Sequence, residues 1–582
     1  MSSLPPEKQR LFRRLLEREG VGGSLLPIAS RGAEGIEAPL SHSQRSLWFM
    51  SRLAPQSPFY NHPVAVRLAG PLDAEALEWA CNEIVRRHAV LRTIFPAVDG
   101  RPIQRVLPAS PVTIARVDLT DLPPTERGPR AAALAEAAGW QPFDLATGPT
   151  LRLALYRLAE EDHVFLRTVH HIAWDGWSSA VFDRELAVHY AARLRGEPSP
   201  LPPLPLQYAD YSLWQHDHLA GERLDAQADW WRRQLAAVPE LDLPTDRPRP
   251  PHQTFDGGMV PLDLPGELGE ALERLGRGSG TTLFMTSLAA FKVLLARHGG
   301  LERIAIGTPV ANRDRHELQG MIGYFANVLV LATDLAGDPT FRQLLGRIKD
   351  AAAGAFAHQE IPFELLVEKL ALARDPSRNP LFQVMFALHN ELGAPLAIPG
   401  VTAVALPFGR GTTHFDLECR LFQGQAPDAG PRLGGFLTFN RQLFDEATVA
   451  RMSAQLRVLL AAVATDPDRP ISSLPILAAA EAAWLAARLA PAAAAPPAGP
   501  DAGEAAPGEP RDVLDRIRAA AVAAPDAVAV LDASGQAPAT LSRGELGARS
   551  ARLADQLRAA AAGSGRPLAI LLAPGLERVV AI

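Results

Sequence analysis

The 582-residue sequence predicts an α+β fold spread over several units. The length exceeds what one hydrophobic core supports and calls for about three or four globular units. From about Leu40 to Tyr208, helical-period and period-2 apolar patterns alternate, and a second alternating stretch runs from about Val260 to Pro470. Breaks follow each stretch: a proline-dense segment from Pro198 to Pro205, and an Ala-, Pro- and Gly-rich segment over 478–510 that supplies no packed core.

Taken in order, residues 7–19 (EKQRLFRRLLERE) set Leu11, Leu15 and Leu16 at helical spacing among charges. This reads as a short surface helix, a linker helix in preference to a partner-docking one, ended by the glycine-rich Gly20 to Gly23. Asp73 to His88 is amphipathic, with Ala74, Leu77, Ala80, Cys81 and Ile84 at helical spacing. Leu151 to Leu158 and His163 to His171 are strands joined by a polar turn at Ala159 to Asp162. Trp214, Trp230 and Trp231 fall in a helical region, and further helices are expected near Thr282 to Arg297, Thr340 to Ala357 and Asp445 to Thr465. One helix near Glu481 to Leu489 interrupts the linker. Beyond it, a helix (Val513 to Val522), a strand (Asp526 to Leu531), an amphipathic helix (Leu541 to Ala561) and a strand (Pro567 to Leu572) make too little for a finished α/β domain.

Composition narrows the function. A formal net charge of -6 lacks the basic surface that phosphate backbones demand, so nucleic acid is not an expected partner. Two cysteines, Cys81 and Cys419, supply neither a disulfide framework nor a zinc site and read as buried free thiols in a reducing cytoplasm. Met1 to Gly20 lacks the apolar core of a signal peptide, and no run of about 18 apolar residues follows, so neither export nor membrane insertion is expected.

The chemistry concentrates in His170-His171-Ile172-Ala173-Trp174-Asp175-Gly176, where a strand gives way to a helix. A histidine there can exchange a proton near neutral pH, as acyl transfer to a nucleophile requires. Alternation puts Phe165, Arg167, Val169 and His171 on one face and Val164, Leu166, Thr168 and His170 on the other, so the two histidines have different jobs. The segment from Ser178 opens with two candidate N-cap serines. Gly176 is read as permitting a tight turn or close approach of a ligand, with helix-start amides available to a developing oxyanion. Asp175 either relays to His171 or holds the loop through an arginine, the structural role being favoured. Adjacent histidines on opposite faces lack a third ligand, which argues against a metal. No Walker-type loop and no Gly-x-Ser-x-Gly elbow occurs, which argues against an acyl-serine route.

The His-His-x-x-x-Asp-Gly stretch resembles the core motif of condensation domains of non-ribosomal peptide synthetases, relatives of chloramphenicol acetyltransferase. The resemblance continues in order through Leu40 to Met50 (LSHSQRSLWFM), Arg87 to Phe95 (RHAVLRTIF), Tyr208 to Gln215 (YADYSLWQ), Ile306 to Leu331, His358 to Leu370 (HQEIPFELLVEKL) and Arg374 to Phe386 (RDPSRNPLFQVMF). Leu541 to Leu557 and Leu568 to Ile582 resemble the first segments of an adenylation domain, whose ATP-binding loops would lie beyond Ile582.

The resemblance implies an N-terminal helix and linker (1–36), two acetyltransferase-like lobes (37–215 and 216–475) in a V-shaped pseudo-dimer, a linker (476–510) and a truncated adenylation start (511–582) not expected to activate an amino acid. His171 would face a tunnel between the lobes and act as the catalytic base, Asp175 would pair with Arg313, and His170 would turn into the core. The resemblance further implies that no cofactor or metal is bound directly and that substrates would arrive on phosphopantetheine arms of upstream and downstream peptidyl carrier proteins, within the chain's own synthetase module. Because Met1 directly precedes the condensation segment, the donor is expected from a separate upstream polypeptide. The intact Trp-Phe-Met and Phe-Tyr-Asn stretches near 48–61 lean towards an L-configured donor. Heterocyclisation would put Asp in place of the first histidines. Epimerisation and ester formation share the corner, and a non-catalytic docking module shares the fold.

Overall fold

The computed structural model describes residues 28–478 except 33–34, 237, 373–374, 390–395, 407–411 and 427–429, with short pieces between 481 and 552. The chain divides near residue 484 into two units. The first opens with β1 (Glu37–Pro39), α1 (His42–Leu53), β2 (Asn61–Ala69), α2 (Ala74–Arg87), β3 (Thr93–Ile94), β4 (Ala97–Val98) and β5 (Arg101–Val106). There follow β6 (Ile114–Asp118), α3 (Pro124–Gly139), β7 (Leu151–Ala159), β8 (Asp162–His170), α4 (Gly176–Leu194), α5 (Tyr208–His218) and α6 (Gly221–Leu235). It continues through β9 (Gly257–Asp263), α7 (Gly266–Gly278), α8 (Leu283–Gly299), β10 (Arg303–Val310), α9 (His316–Gln319), β11 (Asn327–Asp334), α10 (Phe341–Ala357) and α11 (Phe363–Leu370). It closes with β12 (Val384–His389), β13 (Thr402–Ala405), β14 (Leu417–Ala426), β15 (Gly430–Asn440) and α12 (Glu446–Thr465). The second unit shows a hairpin of β16 (Val528–Asp532) and β17 (Ala539–Ser542).

Capping sets where the helices begin. Asp73 accepts from the Glu75 and Ala76 amides, Thr282 from Met285 and Thr340 from Gln343, so α2, α8 and α10 each start one residue after the position marked by the apolar pattern. The expected tail helix from Leu541 starts later still: Leu541 and Ser542 belong to β17, and Ser542 exchanges two capping hydrogen bonds with Glu545. The expected strand at Asp526 to Leu531 forms as β16. The expected helices at 7–19 and 513–522 and the strand at 567–572 lie outside the described residues, as does most of those at 481–489 and 541–561.

Two mixed sheets carry the first unit. One has the order β13-β2-β8-β7-β6, with β6 and β7 parallel and the other pairs antiparallel. The other has the order β11-β10-β12-β14-β15-β9, with β12 parallel to both neighbours. In the first half, α2 and α4 cover one sheet face, where Leu77, Ile84, Phe182 and Leu186 pack on Leu153, Phe165 and Val169. Helix α3 covers the other face, setting Ala131 and Ala135 against Tyr156, Val164 and Leu166. In the second half, α8, α10 and α12 bury Phe291, Leu345 and Leu459 on Ile306, Val384, Leu417 and Leu437. Cys81 and Cys419 are buried free thiols, and burial pushes Cys81 up to about 12 and raises Cys419 as well.

The halves interlock. Strand β13, far along the chain, pairs antiparallel with β2 from Thr402 opposite Ala69 to Ala405 opposite Val66. Leu318, Met321, Ile322 and Phe325, from the segment between β10 and β11, join the first half's core. Among the described residues one helix, α12, is long and apolar enough to cross a membrane; Val449, Leu456, Leu459 and Val463 pack into the second core.

Within that core Lys292 of α8 is fully buried, its Nζ donating to the carbonyls of Ile304 and Leu331 and to Thr333 Oγ1 (3.4, 2.5 and 2.7 Å). Burial beside neutral acceptors alone brings its pKa down from 10.5 to about 7. Folding thus opposes the charged form: the full penalty applies below pH 7 and is relieved as pH rises from about 7 towards 10.5. Lys292→Met should therefore raise the urea midpoint at pH 6, with the gain shrinking towards pH 10; an equal shift at both pH values would show that no buried charge is involved.

Candidate active site

Strand β8 ends at His170, and His171–Ala173 form a 3₁₀ turn that delivers the chain to α4. His171 therefore sits in the turn and not in the strand, its amide donating to the Tyr60 carbonyl (2.8 Å). The strand alternation places Phe165 and Val169 in the α2/α4 core and Val164 and Leu166 in the α3 core. The two histidines separate accordingly. His170 is buried, its Nδ1 accepting from the Ile172 amide (3.1 Å), and burial with the neighbouring His171 lowers it to about 3. It is a neutral acceptor that shapes the turn.

His171 is half-buried, and its Nδ1 lies 2.5 Å from the Trp174 carbonyl oxygen. A carbonyl only accepts, so Nδ1 carries the hydrogen and Nε2 keeps the lone pair. No described residue hydrogen-bonds Nε2. Burial holds the ring below its ordinary pKa, opposed by the Trp174 hydrogen bond and the charge of Asp175, which keeps it an unprotonated base at neutral pH.

Asp175, and neither Ser178 nor Ser179, caps α4, because its carboxylate reaches the free amides one residue before the helix starts. Oδ1 accepts from the Ser178 amide (2.9 Å), Ser178 Oγ (2.7 Å) and the Arg313 guanidinium (3.0 Å). Oδ2 accepts from Arg313 (3.1 Å) and the Phe325 amide (3.1 Å), and neither oxygen is hydrogen-bonded to His171. The geometry is a brace and not a relay, and it commits one of the helix-start amides, that of Ser178. Arg313, as buried as its partner, also donates to the carbonyls of Leu318 (2.7 Å) and Met321 (2.5 Å) and lies 4.2 Å over the Phe325 ring. The pair thus ties α4 to the 318–325 segment of the other half.

Gly176 is exposed at the first position of α4, its φ is not positive, and a Cβ there meets no atom within 4 Å. The structure therefore gives no tight turn or close approach that demands glycine at 176. Gly323 has that constraint instead: a Cβ would overlap the Tyr208 ring, and its amide and carbonyl both bond Ser178 Oγ (3.1 Å each).

Residues from both halves surround His171. Tyr324 stands edge-on with its ring 5.0 Å away, and His62 of β2 is 6.3 Å away. Burial, with His171 nearby, lowers His62 and His414 to about 3 each. On β14, Glu418 holds Arg420 in a fork (2.7 and 3.1 Å), and the charge of Arg420 further disfavours protonation of His171. Sequence reasoning singled out none of His62, Tyr324, His414 and Arg420, and took up Tyr60 only within the Phe-Tyr-Asn stretch. Tyr324 lies inside one of the family-like motifs, and His62 directly follows the Phe-Tyr-Asn stretch. Only the fold shows which of their side chains gather here. Among the described residues, no three His, Cys, Asp or Glu side chains are grouped to hold a metal.

A family model described as a condensation domain matches residues 35–486. One of the linear gramicidin synthase proteins of Brevibacillus parabrevis is 44% identical over 440 residues, 75% of this chain and 6% of that protein. Malpinin synthetase from Mortierella alpina is 35% identical over 557 residues, 95% of this chain and 7% of that protein. The chain thus spans less than a tenth of the length of these relatives. Among solved structures, the X-domain from teicoplanin biosynthesis is 34% identical with a TM-score of 0.71, covering 78% of this chain and all of that one. That X-domain is also known in complex with OxyB, with 33% identity, a TM-score of 0.67 and coverage of 78% of this chain and 100% of that one. With the family model matching most of its length, the chain belongs to the condensation-domain family of non-ribosomal peptide synthetases.

Proposed function

We propose that this domain forms an amide bond between a carrier-bound donor acyl or peptidyl thioester and the amine of a carrier-bound aminoacyl thioester. The observation that carries the reading is the open Nε2 of His171, fixed as an acceptor by the Trp174 carbonyl and surrounded by side chains from both halves. In this reading the halves are the two acetyltransferase-like lobes, 37–215 and 216–475, set in a V with the tunnel between them. The phosphopantetheine arms of upstream and downstream carrier proteins bring the substrates in from opposite ends.

The chemistry needs few groups. An α-amine has a reference pKa of about 8 and imidazole about 6.5, so a neutral His171 accepts the proton that the attacking nitrogen loses as the tetrahedral adduct forms. The imidazolium then protonates the departing thiolate, and the adduct collapses to the amide. Holding two thioester arms together contributes effective molarities of about 10⁵ to 10⁸ M, against roughly 10²- to 10⁴-fold from the base. Asp175, Arg313 and His170 position the turn and take no proton.

The segment after the 476–510 linker is assigned as the start of an adenylation domain, supported by the alignment with malpinin synthetase over 95% of the chain. The two unpaired buried thiols suit a reducing cytoplasm.

Incubating the protein with separately loaded donor and acceptor carrier proteins should give the amide on the acceptor carrier, read by intact-protein mass spectrometry. Loss and regain of the Cα proton without amide would instead mark an epimerase. A docking module is the second reading, supported by the similarity to an X-domain known in complex with OxyB; carrier binding with no product in any combination would support it and count against condensation.

A further inference from the structure

The sheet of the first half has an incomplete edge. Strand β6 pairs with β7 only from Leu153 onward, so Leu151 and Arg152 stand past the point where β6 begins. A cleft of about 600 Å³ opens there, lined entirely by residues between 85 and 168. None of the groups around His171 lines it: His62, Tyr324, His414 and Arg420 all lie elsewhere. Val85, Leu91, Ile94, Leu153 and Leu166 give the cleft apolar walls, and its charged lining residues are two arginines, Arg92 and Arg152, with no Asp or Glu. Arg152 and Thr168 are register partners on β7 and β8, hence neighbours on one sheet face. Arg152 donates to the carbonyls of Gln141 and Pro142 and lies 3.9 Å over the Phe143 ring, yet its Nε is buried without a hydrogen-bond partner among the described residues. Thr168 is 1% exposed, and its Oγ1 likewise has no partner among them. Two adjacent donors left open beside a cavity call for an acceptor.

We propose that this cleft binds a medium-chain alkyl carboxylate, its head accepting from Arg152 Nε and Thr168 Oγ1 and its tail running past the sheet edge towards Val85, Leu91 and Leu153. A carboxylate brings two acceptor oxygens and the negative charge that the lining lacks, and a charge-assisted hydrogen bond to a guanidinium is among the stronger kinds. The volume falls within the range of about 300–1,000 Å³ that small-molecule sites occupy, and apolar walls with a few convergent polar groups are their usual make-up. Buried Arg92, whose guanidinium donates to the Leu107 carbonyl, adds a second positive charge to the lining. An acyl thioester has no anionic head, so a carrier-bound acyl group is not the occupant. The site is a second one, and it stands whether or not the domain forms amides.

Isothermal titration calorimetry of the full chain with octanoate, octanamide and acetate tests the assignment. Octanoate should bind at a single site, and octanamide, with the same tail and no charge, roughly tenfold or more weakly. Acetate, with the head and no tail, should give no measurable heat. Arg152→Gln should bring octanoate down to the octanamide level. Thr168→Val keeps the shape of the side chain and removes the open hydroxyl, so octanoate should bind roughly tenfold more weakly while the thermal midpoint stays at or above that of the wild type. His171→Ala should bind octanoate as the wild type does, because the cleft is separate from that corner. No binding of octanoate at millimolar concentration, equal affinity for octanoate and octanamide in the wild type, full affinity in Thr168→Val or Arg152→Gln, or loss of binding in His171→Ala would overturn the assignment.

Discussion

Arg313→Ala should destabilise the first unit by about 3–5 kcal/mol, because it strands a buried Asp175 carboxylate without its counter-charge. The side chains of both partners are 1% exposed, so water cannot replace the lost guanidinium. The loss extends past the pair, since the carbonyls of Leu318 and Met321 lose their donors and the 318–325 segment loses its tie to α4. Guanidinium unfolding of wild type and variant measures the change, and an unchanged midpoint would refute the bracing role. Asp175→Ala should fall in the same direction and also uncap α4, which alone costs about 1 kcal/mol. A soluble Asp175→Ala protein with wild-type stability and no activity would move Asp175 from support into the chemistry.

On the amide-forming reading, His171→Ala should lower the rate of amide formation by roughly 10²- to 10⁴-fold while leaving the KM for both carriers within about twofold, because in that reading the ring acts on the proton and not on the arms. Residual turnover is expected, since positioning survives and a thioester is already activated. The pH dependence follows from the direction of the shift. Burial lowers the His171 pKa, so the base form persists below the ordinary 6.5 and the acid limb of kcat/KM falls on the acidic side of that value. The variant should lack that limb. Full activity in His171→Ala, or an unchanged acid limb, would remove the base from the mechanism.

Much of this was legible in the sequence for a local reason. Helices such as α2 and α10 declare themselves through apolar spacing and a capping residue, both within a few positions. The separation of His170 from His171 followed from two-residue alternation in β8, even though the second of them lies just past the strand end. What escaped depends on distant residues. Whether Ser178 or Asp175 caps α4 turns on where the strand stops, and the glycine that crowding requires proved to be Gly323, pressed by a tyrosine 115 positions earlier in the chain (208 to 323). Strand β13 is four residues long, too short for its period to announce which sheet it joins.

That strand also bears on how the protein is made. The ladder between β2 and β13 joins residues more than 300 positions apart, so at synthesis rates of about 5–20 residues per second β2 has been made for tens of seconds before its partner exists. For that interval the nascent first sheet has an unpaired outer strand, the kind of edge that recruits stray chains. Strand β2 carries Pro63, which has no amide hydrogen to offer, and an exposed charged Arg67. Both are residue types that discourage edge-to-edge pairing, and they stand on the strand that stays open longest.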